Sequence, residues 1–194
     1  MATRIGVFGG TFDPPHTGHL VLALDAADAL QLDRLLFVPA ARQPLKQGLP
    51  MTAPEHRVAM VRALAAADPR FAVDTSEADR GGLSFTVDTM RGFRAAQPDA
   101  EFFLLMGADT AATLPQWREP TALAELVTVA IAGRGEAEMA APEGFRVVSL
   151  PPRRLDLSAT EIRARVRDGR SVRGFVPDAV AEYIASAGLY RTTN

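Results

Sequence analysis

The stretch Gly9-Gly10-Thr11-Phe12-Asp13-Pro14-Pro15-His16-Thr17-Gly18-His19 holds two of the three histidines in this chain of 194 residues. It follows the apolar run Ile5–Phe8 and precedes a helical pattern that begins near Gly18. A strand, a glycine turn and a helix start therefore meet here, where free backbone N–H groups and the helix dipole favour an anion. Two imidazoles three residues apart can donate to that anion, so the stretch predicts a phosphate site.

Two alternatives apply to the same residues. Asp13, His16 and His19 could ligate zinc or iron, since two histidines and a carboxylate form a known ligand set. A helical metal pair usually spaces its histidines four apart, and here Pro14-Pro15 separates the carboxylate from both rings, which favours phosphate. The histidines could also do no more than cap the first helix.

Composition limits the class of protein. Apolar residues make up 47%, charged residues 23%, and the net charge is −2, which is typical of a globular domain without a general nucleic-acid surface. The absence of cysteine excludes disulfides, thiolate nucleophiles and cysteine zinc sites. With this net charge we expect no nucleic-acid partner. Neither a membrane span nor a signal core is apparent, so we also expect no membrane partner and a cytoplasmic location.

The single lysine, Lys46, stands out because the other 20 of the 21 basic residues are arginines. A compact ammonium differs from a planar guanidinium fork, so the retained lysine is a candidate binding residue. Chance placement in a loop is an equal alternative.

Apolar periodicity predicts alternating strands and helices. Strands are expected near 4–8, 34–38, 71–74, 101–106, 126–131 and 145–149, and helices near 18–30, 54–67, 85–96, 119–125, 159–168 and 177–187. This alternation predicts an α/β fold with a parallel sheet covered by helices on both faces. Thr52-Ala53-Pro54-Glu55 and Ser158-Ala159-Thr160-Glu161 have the form of capping boxes. Gly188 suits the C-terminal cap of the last helix.

Common nucleotide and hydrolase motifs are missing. The chain has no Gly-x-x-x-x-Gly-Lys-Ser/Thr loop, no Gly-x-Gly-x-x-Gly after its first strand and no Gly-x-Ser-x-Gly. These absences exclude a P-loop NTPase, a dinucleotide fingerprint and a nucleophile elbow.

Two further segments are candidate phosphate or nucleotide sites. Ser158–Arg163 combines a helix start, hydroxyls and a guanidinium fork that together could hold a polyphosphate tail; a well-capped helix is the alternative. Met106-Gly107-Ala108-Asp109 ends an apolar run, and ligands of open α/β sheets lie beyond the carboxyl ends of strands. An ordinary strand-to-helix turn capped by Asp109 is the alternative there.

Two aromatic or glycine-rich loops are weaker candidates. Trp117, the only tryptophan, could stack on a flat heterocycle or simply pack. Arg80–Thr86 resembles a binding loop that leads into a helix. His56 is interpreted as a surface or packing residue.

Several of these segments match one family, in order, along nearly the whole chain. Gly9–His19 resembles the signature of the bacterial nicotinate mononucleotide adenylyltransferases, within the nucleotidylyltransferase superfamily that carries His-x-Gly-His. The remaining matches are Ser84–Thr89, Met106–Asp109 with Trp117 after it, Leu157–Arg163, and Val176–Tyr183 with Gly188–Tyr190.

The resemblance implies a Rossmann-like, doubly wound parallel sheet in a single nucleotidylyltransferase domain over 1–194, with a C-terminal helical part at about 156–194. It also implies adenylyl transfer from ATP to nicotinate mononucleotide in NAD synthesis, giving nicotinate adenine dinucleotide and pyrophosphate. ATP and the mononucleotide would be the partners, and Mg²⁺ would be carried mainly by the phosphates, with no dedicated protein metal site. A homo-oligomer is compatible with these expectations.

The resemblance also implies roles for particular residues. His16, His19 and Arg163 would be catalytic, through contacts with the ATP phosphates and the leaving pyrophosphate. The expected ATP-binding set is Gly9, Gly10, Thr11, Phe12, His16, His19, Gly107, Asp109, Arg134, Ser158, Thr160 and Arg163. The expected acceptor-binding set is Lys46, Ser84, Thr86, Trp117 and Arg118.

The chain departs from the family pattern at three positions. Gln43 and Leu45 stand where proline and histidine are usual in the loop that ends at Lys46, and Gly135 stands where proline commonly follows Arg134. Two other functions therefore stay open: a related transferase with another acceptor, such as phosphopantetheine or a phosphorylated alcohol, and a non-catalytic nucleotide-binding module.

Overall fold

A computed structural model of the protein describes residues 2–44, 51–133, 142–153 and 155–191. Its six strands are β1 (Arg4–Gly10), β2 (Arg34–Pro39), β3 (Phe71–Val73), β4 (Glu101–Gly107), β5 (Thr128–Ala132) and β6 (Arg146–Leu150). Its helices are α1 (Thr17–Ala29), α2 (Pro54–Ala65), α3 (Ser76–Arg80), α4 (Thr86–Ala96), α5 (Ala108–Ala111), α6 (Pro120–Leu126), α7 (Ala159–Arg167) and α8 (Asp178–Ser186). A 3₁₀ turn spans Leu114–Gln116.

The strands form one parallel sheet in the order β3-β2-β1-β4-β5-β6. Register is fixed at the centre, where Ile5 pairs with Arg34 of β2 and with Phe102 of β4. The middle of both central strands, Ile5–Phe8 and Phe102–Met106, is buried, as expected when helices cover both faces of a parallel sheet. The predicted Rossmann-like α/β fold is confirmed.

Alternation along the strands divides the core into two layers. In β4, Phe102 and Leu104 face a cluster built with α4, α5 and α6, whereas Phe103 and Leu105 face a cluster built with α1, α2, α7 and α8. Successive strand side chains point to opposite faces, so one apolar run supplies both layers. Close packing also explains Gly6, because a Cβ there would lie 2.6 Å from a methyl carbon of Leu32.

The structure corrects several local predictions. The short helices α3 and α5 and the 3₁₀ turn were not predicted, because three to five residues are too few to show helical periodicity. The capping box at Thr52 is wrong: Ala53 is the N-cap of α2 and Pro54 its first residue. The Ser158 cap is confirmed, since its side chain accepts from the N–H of Glu161. Gly188 adopts the left-handed conformation at φ 63°, as predicted.

Within the described ranges, no helix combines the length and apolarity needed to cross a membrane. Helices α7 and α8 lie in the expected C-terminal helical part. The single domain and the cytoplasmic location stay predictions.

Candidate active site

A cleft of about 1860 Å³ opens beyond the carboxyl ends of the central strands. Strand β1 leads into α1 on one face, and its neighbour β4 leads into α5 on the other. Open α/β sheets bind ligands at such a switch point. The cleft is lined by every predicted site residue that the structure describes: Gly9, Gly10, Thr11, Phe12, His16, His19, Ser84, Thr86, Gly107, Asp109, Trp117, Arg118, Ser158, Thr160 and Arg163. The predicted residues Lys46 and Arg134, with their neighbours Leu45 and Gly135, lie outside the described residues.

The two histidines stack on each other at the start of α1, with ring centroids 3.7 Å apart and planes inclined by 26°. His16 is the N-cap residue. The ring of His19 turns back so that its Nδ1 accepts the main-chain N–H of His16 at 3.1 Å. Because Nδ1 is an acceptor there, we assign the ring proton to Nε2, which makes that nitrogen a hydrogen-bond donor. The capping alternative is therefore correct in part, while both rings also line the cleft.

Burial sets the charge of His16. It lowers the pKa of this imidazole from 6.5 to about 4, so the ring is neutral at pH 7. Its Nδ1 is buried and makes no hydrogen bond with any described residue. A triphosphate in the cleft would act in the opposite direction, because nearby negative charge favours the protonated ring.

Two glycines and one phenylalanine leave room for the rings and support them. A Cβ on Gly18 would lie 3.1 Å from Nδ1 of His16, and one on Gly10 would lie 3.0 Å from the ring of Phe12. Phe12 itself is left-handed at φ 51° and only 3% exposed. Its ring meets that of His19 edge-on at 5.1 Å. The glycine turn thus allows the ring of Phe12 to lie against the ring of His19.

The carboxylate of Asp13 has hydrogen-bond partners other than the two histidines. One of its carboxylate oxygens accepts the hydroxyl of Tyr190 at 2.6 Å, and the other accepts the N–H of Thr52 at 3.1 Å. Within the described ranges, no three acidic or histidine side chains are grouped closely enough to hold a metal ion. The zinc or iron alternative therefore lacks its ligand set.

Arg57 is a structural residue of the site that the sequence analysis missed. It is 0% exposed, and its guanidinium donates to the carbonyls of Thr52 at 2.9 Å, Thr11 at 2.8 Å, Ala40 at 2.7 Å and Ala41 at 3.2 Å. Burial lowers the pKa of Arg57 below its ordinary value, and the charge of Asp13 opposes that effect. The sequence pattern within α2 indicated only a helical position, because three of the four acceptors lie 16 to 46 residues away along the chain.

The start of α7 comes directly against the glycine turn. Arg163 donates to the carbonyl of Asp13 at 2.7 Å and to the hydroxyl of Thr160 at 3.2 Å. Ser158 accepts the N–H of Glu161 at 3.1 Å. The two interpretations of Ser158–Arg163 are therefore compatible, because the start of α7 is a capped helix end and also lines the cleft.

The opposite wall is formed by the end of β4. Gly107 ends the strand and is the N-cap of α5, so Asp109 lies in the first turn of that helix. The alternative in which Asp109 caps this turn is therefore wrong. Gly107 has open space where a Cβ would be, with nothing within 4 Å. A flat group could approach this backbone closely.

The predicted acceptor residues lie around the start of α4. Thr86 is the first residue of this helix. Ser84 is buried and its hydroxyl accepts the N–H of Ala41 at 2.9 Å, so it holds the adjacent loop. The indole N–H of Trp117 donates to the hydroxyl of Thr113 at 2.9 Å. Arg118 lies 4.7 Å from the centre of the Phe85 ring and pairs with Asp88 at 3.3 Å.

Comparison with known sequences agrees with this arrangement. Residues 7–165 match the cytidylyltransferase-like family. A protein of Gemmatimonas aurantiaca described as a "probable nicotinate-nucleotide adenylyltransferase" is 51% identical, over 97% of this chain and 92% of its own length. A Thermus thermophilus protein with the same description is 47% identical, over 97% of this chain and 100% of its own length.

Comparison with solved structures agrees on the fold. The nicotinic acid mononucleotide adenylyltransferase of Plasmodium falciparum, solved in complex with NaAD, superposes with a TM-score of 0.80 over 97% of each chain, at 17% sequence identity. The bacterial relatives cover a similar share of the chain but at much higher sequence identity, 51% and 47%. This chain belongs to the nicotinate-nucleotide adenylyltransferases of the cytidylyltransferase-like family.

Proposed function

We propose that the protein transfers the adenylyl group of ATP to nicotinate mononucleotide, giving nicotinate adenine dinucleotide and pyrophosphate in NAD synthesis. The observation that carries this proposal is the convergence of three anion-binding features on one cleft: the stacked His16–His19 pair, the capped start of α7, and Arg163. Membership of a family named for this reaction supports it.

On the ATP side, the phosphates lie between the start of α1 and the start of α7. Nε2 of His19 donates to phosphate oxygens, and His16 adds a second imidazole. Arg163, Ser158 and Thr160 hold the pyrophosphate as it leaves. Donors fixed before the reaction stabilise charge that develops in the transition state without further reorganisation.

The chemistry needs no covalent enzyme intermediate. A phosphate oxygen of the mononucleotide attacks the α-phosphorus of ATP and forms the new P–O bond. The bond from that phosphorus to the bridging oxygen breaks, and the electron pair leaves with pyrophosphate. A phosphate monoester is already anionic at neutral pH, so the attacking oxygen needs no general base. Positioning and charge stabilisation then supply the rate.

The adenosine end lies along the wall formed by Gly9–Phe12, Gly107 and Asp109. Arg134, the other residue expected to bind this end, lies outside the described residues. Open space over Gly107 admits the base or the ribose. Asp109 accepts from a hydroxyl or amine of the nucleoside.

The acceptor lies near the start of α4. The nicotinate ring packs against Trp117, and its carboxylate accepts from backbone N–H groups at the helix start, where the dipole favours an anion. Ser84 and Thr86 shape this pocket, while Arg118 adds positive charge. Lys46, also expected to bind the acceptor, lies outside the described residues. The acid form is therefore preferred to the amide.

Nucleotidyltransferases of this kind generally use a divalent metal ion together with ATP, and we propose Mg²⁺. Both carboxylate oxygens of Asp13 are engaged by Tyr190 and Thr52, so the phosphates of ATP and water would be the main ligands of such an ion. It would neutralise part of the charge on the phosphates.

An acceptor assay tests the proposal. The protein is incubated with ATP and Mg²⁺ and with nicotinate mononucleotide, nicotinamide mononucleotide, phosphopantetheine or a simple phosphorylated alcohol in turn, and products are separated by chromatography. We expect dinucleotide and pyrophosphate with the first acceptor and much less product with the amide. Product only with phosphopantetheine or the alcohol would assign a different transferase. ATP binding without product from any acceptor would indicate a non-catalytic nucleotide-binding module.

A further inference from the structure

We propose that Tyr190, near the end of the chain, is a positioning residue for adenylyl transfer: its hydroxyl fixes Asp13 and, through it, the loop that carries His16. This inference rests on the proposed function for its kinetic consequence. Its structural consequence can be measured independently of activity.

The geometry around Asp13 supports the inference. The carboxylate is 6% exposed and accepts from Tyr190 at 2.6 Å and from the N–H of Thr52 at 3.1 Å. The carbonyl of the same residue accepts from Arg163 at 2.7 Å. Asp13 is therefore held at its side chain by the C-terminal segment and at its main chain by a proposed catalytic residue. Two prolines, Pro14 and Pro15, are the residues between Asp13 and His16, and their fixed φ angles leave this segment little rotational freedom.

The same C-terminal region holds the next residues of the loop. Thr17 donates its N–H to the carbonyl of Phe175 at 2.9 Å and its hydroxyl to the carbonyl of Gly174 at 2.9 Å. His16 therefore lies between two anchors, Asp13 and Thr17, and each is attached to the chain that follows α7. The histidine pair takes its place from this region as well as from β1.

The protonation of Tyr190 suits a donor. Burial, followed by the hydrogen bond to Asp13, raises the pKa of the phenol well above its usual range, so the hydroxyl keeps its proton at neutral pH. Without the hydroxyl of Tyr190, one carboxylate oxygen of the buried Asp13 would have no donor, in a cleft that we propose binds an anion. A buried acceptor left without a donor is costly, so we expect the loop to shift.

The chain offers a matched control, because it contains two tyrosines and both donate or accept through their hydroxyls. Tyr183 lies in α8 and its hydroxyl is 2.9 Å from Nδ1 of His56. Neither tyrosine lines the cleft, but Asp13, the partner of Tyr190, does, whereas His56, the partner of Tyr183, does not. Y183F and Y190F therefore remove the same atom, and only Y190F removes a contact to a residue of the cleft.

The experiment compares wild type, Y183F and Y190F by melting temperature, by kcat and KM for both substrates, and by the NMR signals of the histidine rings. We expect Y190F to lower kcat about tenfold or more, the effect of losing a hydrogen bond to a charged group, with small changes in KM. Y183F should keep the wild-type kcat. In the spectra, Y190F should shift the signal of His16, whereas Y183F should shift that of His56.

A purely structural role would give a different result. If Y190F lowers the melting temperature but keeps the wild-type kcat and the His16 signal, the inference is wrong. If wild type makes no dinucleotide, the proposed function fails, and the His16 signal in Y190F alone decides this inference.

A double-mutant cycle with D13A protects the test against an unstable Y190F. Because each substitution removes the contact between Tyr190 and Asp13, their combined loss of kcat should be much smaller than the product of the two separate losses. Independent, multiplicative losses would overturn the inference.

Discussion

At the scale of single residues, His16 and His19 share one turn of helix but differ in their surroundings. His19 has its Nδ1 occupied by a main-chain N–H. His16 has a buried Nδ1 that no described residue contacts by a hydrogen bond. The spacing in the sequence predicted that both rings can donate to one anion. The structure adds a difference between them, a fixed donor at His19 and a neutral, desolvated ring at His16, which depends on burial and cannot be obtained from spacing.

The charge of His16 gives the first prediction. Because its pKa in the folded protein is about 4, well below the 6.5 of an exposed imidazole, its carbon signals in NMR should stay those of a neutral ring from pH 8 to about pH 5. The unfolded chain takes up this proton near pH 6.5 and the folded chain does not. The contribution to stability is therefore complete above pH 6.5 and decreases as the pH falls towards 4.

The chain has only three histidines, so H16Q identifies the signal by its disappearance. The same variant should show a weaker loss of stability between pH 6.5 and 4. A midpoint near 6.5 for His16 in wild type would contradict the prediction.

At the scale of elements, the start of α1 was well predicted and its details were not. The alternation of apolar residues and the position of the glycines indicated a strand, a turn and a helix, and the structure has all three. The stacking of the rings and the position of Phe12 beneath His19 depend on long-range packing. The short helix α5 was missed for another reason, because its four residues are too few to show helical periodicity.

Gly18 gives a prediction for this element. In G18A the new Cβ would approach Nδ1 of His16 to 3.1 Å, which should displace the ring and lower kcat about tenfold, because small misplacements of catalytic groups reduce rates strongly. The control is G92A in α4, where a Cβ has nothing within 4 Å. That variant should keep its kcat and gain up to about 1 kcal/mol in free energy of unfolding, measured by urea denaturation. Wild-type kcat in G18A would contradict the prediction.

At the scale of the whole molecule, the site is held together by contacts between distant parts of the chain. Arg57 joins the glycine turn, the end of β2 and Thr52 through four carbonyl groups. Tyr190 joins the C-terminal segment to Asp13. Sequence patterns predicted the sheet and the residues of the cleft, because these follow from periodicity and motifs. They did not predict Arg57, because a buried arginine in a helix has no local signature.

Arg57 gives the stability prediction. R57M leaves four carbonyl groups without their charged donor, two of them in buried contacts and two in partly buried ones. The free energy of unfolding should therefore fall by about 3 kcal/mol or more, measured by urea denaturation. The control is R62M, at an exposed position of the same helix, which should change stability by about 0.5 kcal/mol or less. Equal, small changes in both variants would show that the four contacts contribute little.

The most direct test of the account measures kcat and ATP affinity in H19A, with H56A as the control outside the cleft. If His19 stabilises the phosphates in the transition state, kcat should fall by roughly 10²-fold, while the Kd for ATP should rise much less. H56A should retain wild-type values for both. An H19A variant whose loss of ATP affinity equals its loss of kcat would contradict the account and make His19 a ground-state contact only.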